Sequence, residues 1–157
     1  MTSSQDLTSL TVAELGDRMK TKQVSPVEVA EAFIARADAL EPTLGVFVTR
    51  STEQALAAAK QAEAEIAAGD YKGPMHGIPV GVKDIYDTAG VRTTSGSAVY
   101  ADYVPDRDSA AVARLREAGA YSIGKTGTVE FAFDPTGRNA HYGMPKNPWG
   151  LDRMPGG

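Results

Sequence analysis

Hydrophobic positions recur at helical spacing through the first third of the chain. Val12, Leu15 and Met19 follow Thr11-x-x-Glu14, a capping box in which hydroxyl and carboxylate satisfy each other's backbone amides. Ser25-Pro26-Val27-Glu28 opens a second helix with an N-cap serine, a proline at the first helical position and a glutamate at the third. Its apolar stripe is Val29, Phe33, Ile34, Ala37 and Leu40, and Pro42 is expected to stop it because proline has no N–H to donate. Residues 46–48 are a short strand candidate. A third helix is expected over 51–68, opened by Ser51-x-x-Gln54 and closed by Gly69. It is alanine-rich, and Lys60, Glu63 and Glu65 read as its solvated face.

From Gly73 onward the pattern shifts to short runs of period two, punctuated by glycine and proline. In Gly77-Ile-Pro-Val-Gly-Val-Lys-Asp84 the apolar residues Ile78, Val80 and Val82 alternate, which predicts a strand over 80–85 with Lys83 at its tip. Gly77 and Gly81, lacking a Cβ, would admit another backbone closely. Strand tips are where α/β proteins usually carry chemistry, although a lysine there could equally pair with Asp84 or extend its ammonium to water. Asp108-Ser109 is expected to cap a helix through Ala111, Val112 and Leu115 that ends at Gly119, with a second strand over 120–123. Strand–helix–strand order implies a parallel pair with a right-handed crossover. Residues 139–157 have no periodicity and read as an extended loop. The chain thus divides into a helical segment, 1–72, and the first strands and helix of an α/β layer, 73–157.

Composition narrows the chemistry. With 157 residues, 42% apolar and 23% charged, the chain fits one ordinary folding unit. A formal net charge of −4 without a basic run argues against direct contact with nucleic acid. The absence of cysteine excludes disulfides, thiolate metal sites and a cysteine nucleophile. His76 and His141 are the two histidines, too few for a histidine-based metal site without carboxylates, so neither metal nor cofactor is expected. A polar start and the lack of a membrane-length apolar run point to a cytoplasmic protein.

Several motifs compete for attention. Gly119-x-x-x-x-Gly124-Lys125-Thr126 fits the phosphate-binding loop pattern, but its first glycine ends a helix and its intervening residues read as a strand. Lys125 is therefore expected at a strand end, facing water or a backbone carbonyl. The hydroxyls of residues 93–97 read as a turn, and with no histidine nearby a Ser-His-Asp triad has little support. Asp84 and Asp87 fit turn caps, His141 a hydrogen-bonded loop residue, and Trp149 a packing anchor for the loop around it.

Taken together, five phrases resemble the amidase signature hydrolases in order and spacing. They are Gly77–Asp84; Gly90-Val-Arg-Thr-Thr94; Ala118-Gly-Ala120 with Ile123-Gly-Lys-Thr126; Asn147-Pro-Trp149; and Pro155-Gly-Gly157. Glu130-Phe-Ala132 stands where that family has a similar acidic-aromatic phrase. The resemblance implies a mixed sheet flanked by helices on both faces, of which this chain holds the N-terminal part. It implies hydrolysis of a carbon–nitrogen bond in a small amide, urea-like or carbamate substrate by a Ser–cis-Ser–Lys triad, with Lys83 as its lysine. Both serines would lie beyond Gly157, on a remainder of the chain with which this part must pair, and alone it would be inactive. By the same resemblance Phe133 and Asp134 are candidates to line the substrate pocket, while Phe131 and Phe133 fit core packing as well, and Asp134-Pro135-Thr136 a turn. Two other readings stay open: the amidase-type subunit of a tRNA-dependent amidotransferase, and a non-catalytic scaffold or half of a split chain. The amphipathic N-terminal helices could also form a homodimer surface.

Overall fold

The computed structural model describes residues 6–156. Among them, four α-helices surround a three-stranded open sheet. The elements run α1 (Val12–Lys20), α2 (Pro26–Leu44), β1 (Phe47–Arg50), α3 (Thr52–Ala68), β2 (Pro79–Lys83), α4 (Ala110–Glu117) and β3 (Tyr121–Thr126). The sheet order is β1-β3-β2. β2 lies parallel to β3, as the strand–helix–strand order requires, and β1 lies antiparallel to β3, so the sheet is mixed.

Local sequence determines where the first two helices begin. Thr11 with Glu14, and Ser25 with Glu28, form both halves of a capping box, and Pro26 occupies the first turn of α2. Pro42 does not stop α2, which runs on through Leu44. A proline this close to the end costs a single backbone bond, and the terminus is closed instead by Gly45 at φ 59° and by the Glu41 carboxylate, which accepts from the Val46 and Phe47 amides. The Ser51 hydroxyl does not cap α3. It donates to the Ser122 carbonyl and so ties the helix start to β3. The Ser109 hydroxyl makes no cap bond to α4 either, and Asp108 binds the Ala89 amide and the Arg116 guanidinium.

Two apolar clusters hold the layers together. Leu15, Met19, Val24, Val29, Ile66 and Ile78 join α1, α2, α3 and the approach to β2. Ala30, Ile34, Ala55, Ala59, Tyr121 and Ile123 seat α2 and α3 on β3, with alanines where the helices approach closely. Glycines serve these contacts, but not as expected for Gly77 and Gly81. A Cβ on Gly77 would meet the side chains of Met19 and Pro26, and one on Gly81 the methyl of Thr126. Close backbone approach occurs elsewhere, as at Gly124, where a Cβ would lie 2.7 Å from the Thr49 carbonyl oxygen.

The register between β2 and β3 contains a bulge. Val80 pairs with Ser122 but Gly81 pairs with Gly124, leaving Ile123 as an extra residue in β3. Beyond it Val82 pairs with Lys125 and Lys83 with Thr126.

Candidate active site

β2 ends at Lys83, two residues earlier than the alternation predicts, because the chain turns there. The Tyr86 amide donates to the Lys83 carbonyl at 3.1 Å, closing the turn 83–86. Side chains alternate along a strand, so Lys83 points away from the face that buries Val82. It is exposed, and among the described residues no side chain holds its ammonium. The expected alternative of a pair with Asp84 is not what forms. Instead Lys83 borders a cleft of about 70 Å³ with Thr128, Asp134, Gly137, Pro145 and Gly156. The Thr128 hydroxyl is buried and has no hydrogen-bond partner among the described residues. Asp134 opens a turn by accepting from the hydroxyl and the amide of Thr136, and these bonds hold its carboxyl below the usual range.

Asp84, next to Lys83, is wholly buried. Its carboxylate accepts from the Thr94 hydroxyl at 2.5 Å and from the Thr94 amide, its amide donates to the Thr126 carbonyl, and its carbonyl accepts from the Ser95 amide. Residues 93–97 do make a turn, with Ser95 at φ 52° and Gly96 at φ 67°, but its hydroxyls are mostly buried rather than solvated.

Lys125 departs furthest from expectation. It does meet a carbonyl, but as a fully buried residue inside β3, at 0% exposure. Its Nζ donates to the Tyr86 carbonyl at 2.5 Å and to Thr93 Oγ1 at 2.7 Å, with Asp84 Oδ1 at 3.9 Å. Burial pushes its amine down to about 8, against the opposing pull of Asp84. With 121–126 a strand and Lys125 turned into the core, Gly119–Thr126 offers no phosphate cradle. Glu65, expected on a solvated face, instead holds the buried His76 and Lys72.

The aromatic residues are corrected as well. Phe133 is 92% exposed and Phe131 about half exposed, so neither packs in a core. Trp149, at 97% exposure, anchors nothing among the described residues. A larger cavity, about 360 Å³, lies between α3 and α4 at the opposite end of β3, lined by Gln54, Glu65, Lys72, His76 and Arg116, and does not include Lys83. Among the described residues, no group of three or more acidic or histidine side chains is placed to hold a metal, and no helix is long and apolar enough to cross a membrane.

A family model described as Amidase matches residues 28–157. A glutamyl-tRNA(Gln) amidotransferase subunit from Geobacter metallireducens is 45% identical over 152 residues, covering 97% of this chain and 31% of that protein. The native peptide amidase of Stenotrophomonas maltophilia superposes with a TM-score of 0.87 at 31% identity, over 95% of this chain and 32% of the amidase. A protein from a vestigial complex, described as revealing the origins of an s-triazine catabolic enzyme, superposes with a TM-score of 0.90 at 31% identity, over 94% of this chain and 33% of its own. The chain thus spans about a third of the length of the relatives it matches.

Proposed function

This chain belongs to the amidase signature family, and from that premise we propose that the protein carrying it hydrolyses the carbon–nitrogen bond of a small amide, with Lys83 as the lysine of its catalytic triad. The observation that carries this reading is the position of Lys83: at the end of β2, on a cleft, with its ammonium unengaged by any described side chain. A lysine serves as a base only when neutral. Neutral Lys83 accepts a proton from a bridging serine, which in turn takes the proton of the nucleophilic serine as it attacks the amide carbonyl. The amine or ammonia leaves, and water hydrolyses the acyl-enzyme. In this reading both serines belong to sequence beyond Gly157. Residues 73–157 contribute the first strands of the α/β core, residues 1–72 its N-terminal helical segment, and the protein works in the cytoplasm. Asp134 and Phe133 border the substrate: Asp134 shares the cleft with Lys83, and Phe133 is exposed beside it in sequence.

The test is Lys83→Ala in the complete protein, with ammonia or amine release measured from a panel of simple amides. Loss of acylation is expected. Near-normal turnover by the variant sinks the assignment.

A second reading is favoured by the 45% identity to an amidotransferase component. There the same acyl chemistry releases ammonia from an amide donor and passes it to an aminoacyl-tRNA. Dependence of turnover on added partner proteins and ATP selects this reading; full turnover by the isolated protein selects the first.

A further inference from the structure

We propose that Lys125 is a positioning residue for Lys83, holding from beneath the sheet the turn from which the Lys83 side chain rises. The inference rests on the hydrolytic reading above. Lys125 and Lys83 lie on neighbouring strands but on opposite faces, since Lys125 pairs in register with Val82 and Lys83 with Thr126. Lys125 therefore acts through backbone rather than by direct contact.

The path is short. Lys125 Nζ donates to the Tyr86 carbonyl, and the amide of that same Tyr86 donates to the Lys83 carbonyl. A second branch runs through Thr93, whose hydroxyl accepts from Lys125 and donates to the Val91 carbonyl. The third involves Asp84, 3.9 Å from Nζ, with its carboxylate on Thr94 and its backbone bonded to Thr126 and Ser95. The backbone on both sides of Lys83 is thereby tied to β3 and to the 93–95 turn, while the Lys83 side chain remains free to meet its partners. Holding a base within a fraction of an ångström of its proton donor is worth orders of magnitude in rate, and mobile strand ends do not do this unaided. A buried lysine with two hydrogen-bond acceptors and a nearby carboxylate is costly as structure alone, since an apolar residue would fill the same space at lower cost.

The experiment uses the complete protein with two variants, Lys125→Met and the double variant Lys125→Met/Asp84→Asn, which also removes the buried negative charge that faces the ammonium. Expected in the folded variants is a fall in kcat of about a hundredfold with KM within about twofold, the signature of a misplaced catalytic group rather than a lost binding contact. Exchange of the Tyr86 and Ser95 amide protons should quicken by a similar factor while amides of α2 and α3 keep their protection. Parental kcat in either folded variant overturns the proposal. So does loss of the native fold in both variants, which assigns Lys125 to stability alone. If the parent hydrolyses no amide, the reading of function fails by that control, and amide exchange still tests the positioning: unchanged protection at Tyr86 and Ser95 overturns it.

Discussion

Glu65 Oε2 lies 2.9 Å from His76 Nε2 and 2.6 Å from Lys72 Nζ, so one carboxylate oxygen joins α3 to the segment leading into β2. Because His76 Nδ1 accepts from the Lys72 amide, Nε2 carries the proton and donates to Glu65. Removing the carboxylate leaves a buried imidazole N–H without its acceptor. Glu65→Ala should therefore cost about 1–3 kcal/mol in urea unfolding near neutral pH. The hydrogen bond from Lys72, then that from Gln61, with a smaller part from His76, holds the Glu65 carboxyl at about 2, below its ordinary 4.5. Its stabilising contribution is present above 4.5 and fades as pH falls through about 2, so parent and variant should converge in stability toward acid. A gap that stays constant down to pH 2 contradicts the assignment.

Lys125 gives a dependence of the same sign in an alkaline window. Its amine is pushed from 10.5 to about 8 in the folded protein, so between those values the unfolded chain holds a proton the folded chain has released. Stability should rise with pH across that interval in the parent but not in Lys125→Met. A neutral amine still has two hydrogens, one each for the Tyr86 carbonyl and Thr93 Oγ1. Denaturation curves at pH 7.5 and 10 for both proteins check this, and equal changes in the two count against it.

Gly119 closes the end of α4 at φ +86°, and a Cβ there would lie 2.5 Å from His76 Cδ2 and 2.9 Å from His76 Cα. Gly90 has φ +73° with nothing within 4 Å of the same added atom. Gly90→Ala should cost only the left-handed backbone penalty, about 1–2 kcal/mol. Gly119→Ala adds a clash with buried backbone and should exceed it by about 1–3 kcal/mol. Thermal unfolding of the two variants side by side decides, and equal losses refute the clash.

Lys83→Ala removes an exposed side chain from a strand tip and should change stability by no more than about 0.5 kcal/mol. Urea midpoints of parent and variant measure this. A large loss would mean Lys83 holds the fold together, and its effect on turnover could no longer be read as chemistry.

What the sequence made legible was local. The capping boxes at Thr11 and Ser25 and the alternation ending at Lys83 involve residues within a turn of each other, and they located three elements well. The parallel pairing of β2 and β3 followed from element order alone. The missed features all depend on partners distant in sequence. Ser51 could cap its own helix but is taken by Ser122, and Glu65 looks solvated until His76 is packed beside it. Lys125 gave no warning, because a charged residue near a strand end reads as exposed until its acceptors, the Tyr86 carbonyl and Thr93, are brought in from far along the chain. Phe133 and Trp149 erred the other way: large apolar residues suggest a core, but only packing decides whether one covers them.

The extra residue at Ile123 also acts as a parity device. Were Ile123 paired with Gly81 instead of being passed over, the register would set Lys83 directly opposite Lys125, two ammonium-bearing side chains on one face at the spacing of adjacent strands. The inserted residue moves one lysine to each side, so that one can be sealed in the interior and the other left available. Removing Ile123 would leave Gly81 on Gly124 and Lys83 on Thr126, so the skipped pairing, and not the length of the strand, is what keeps the two lysine environments apart.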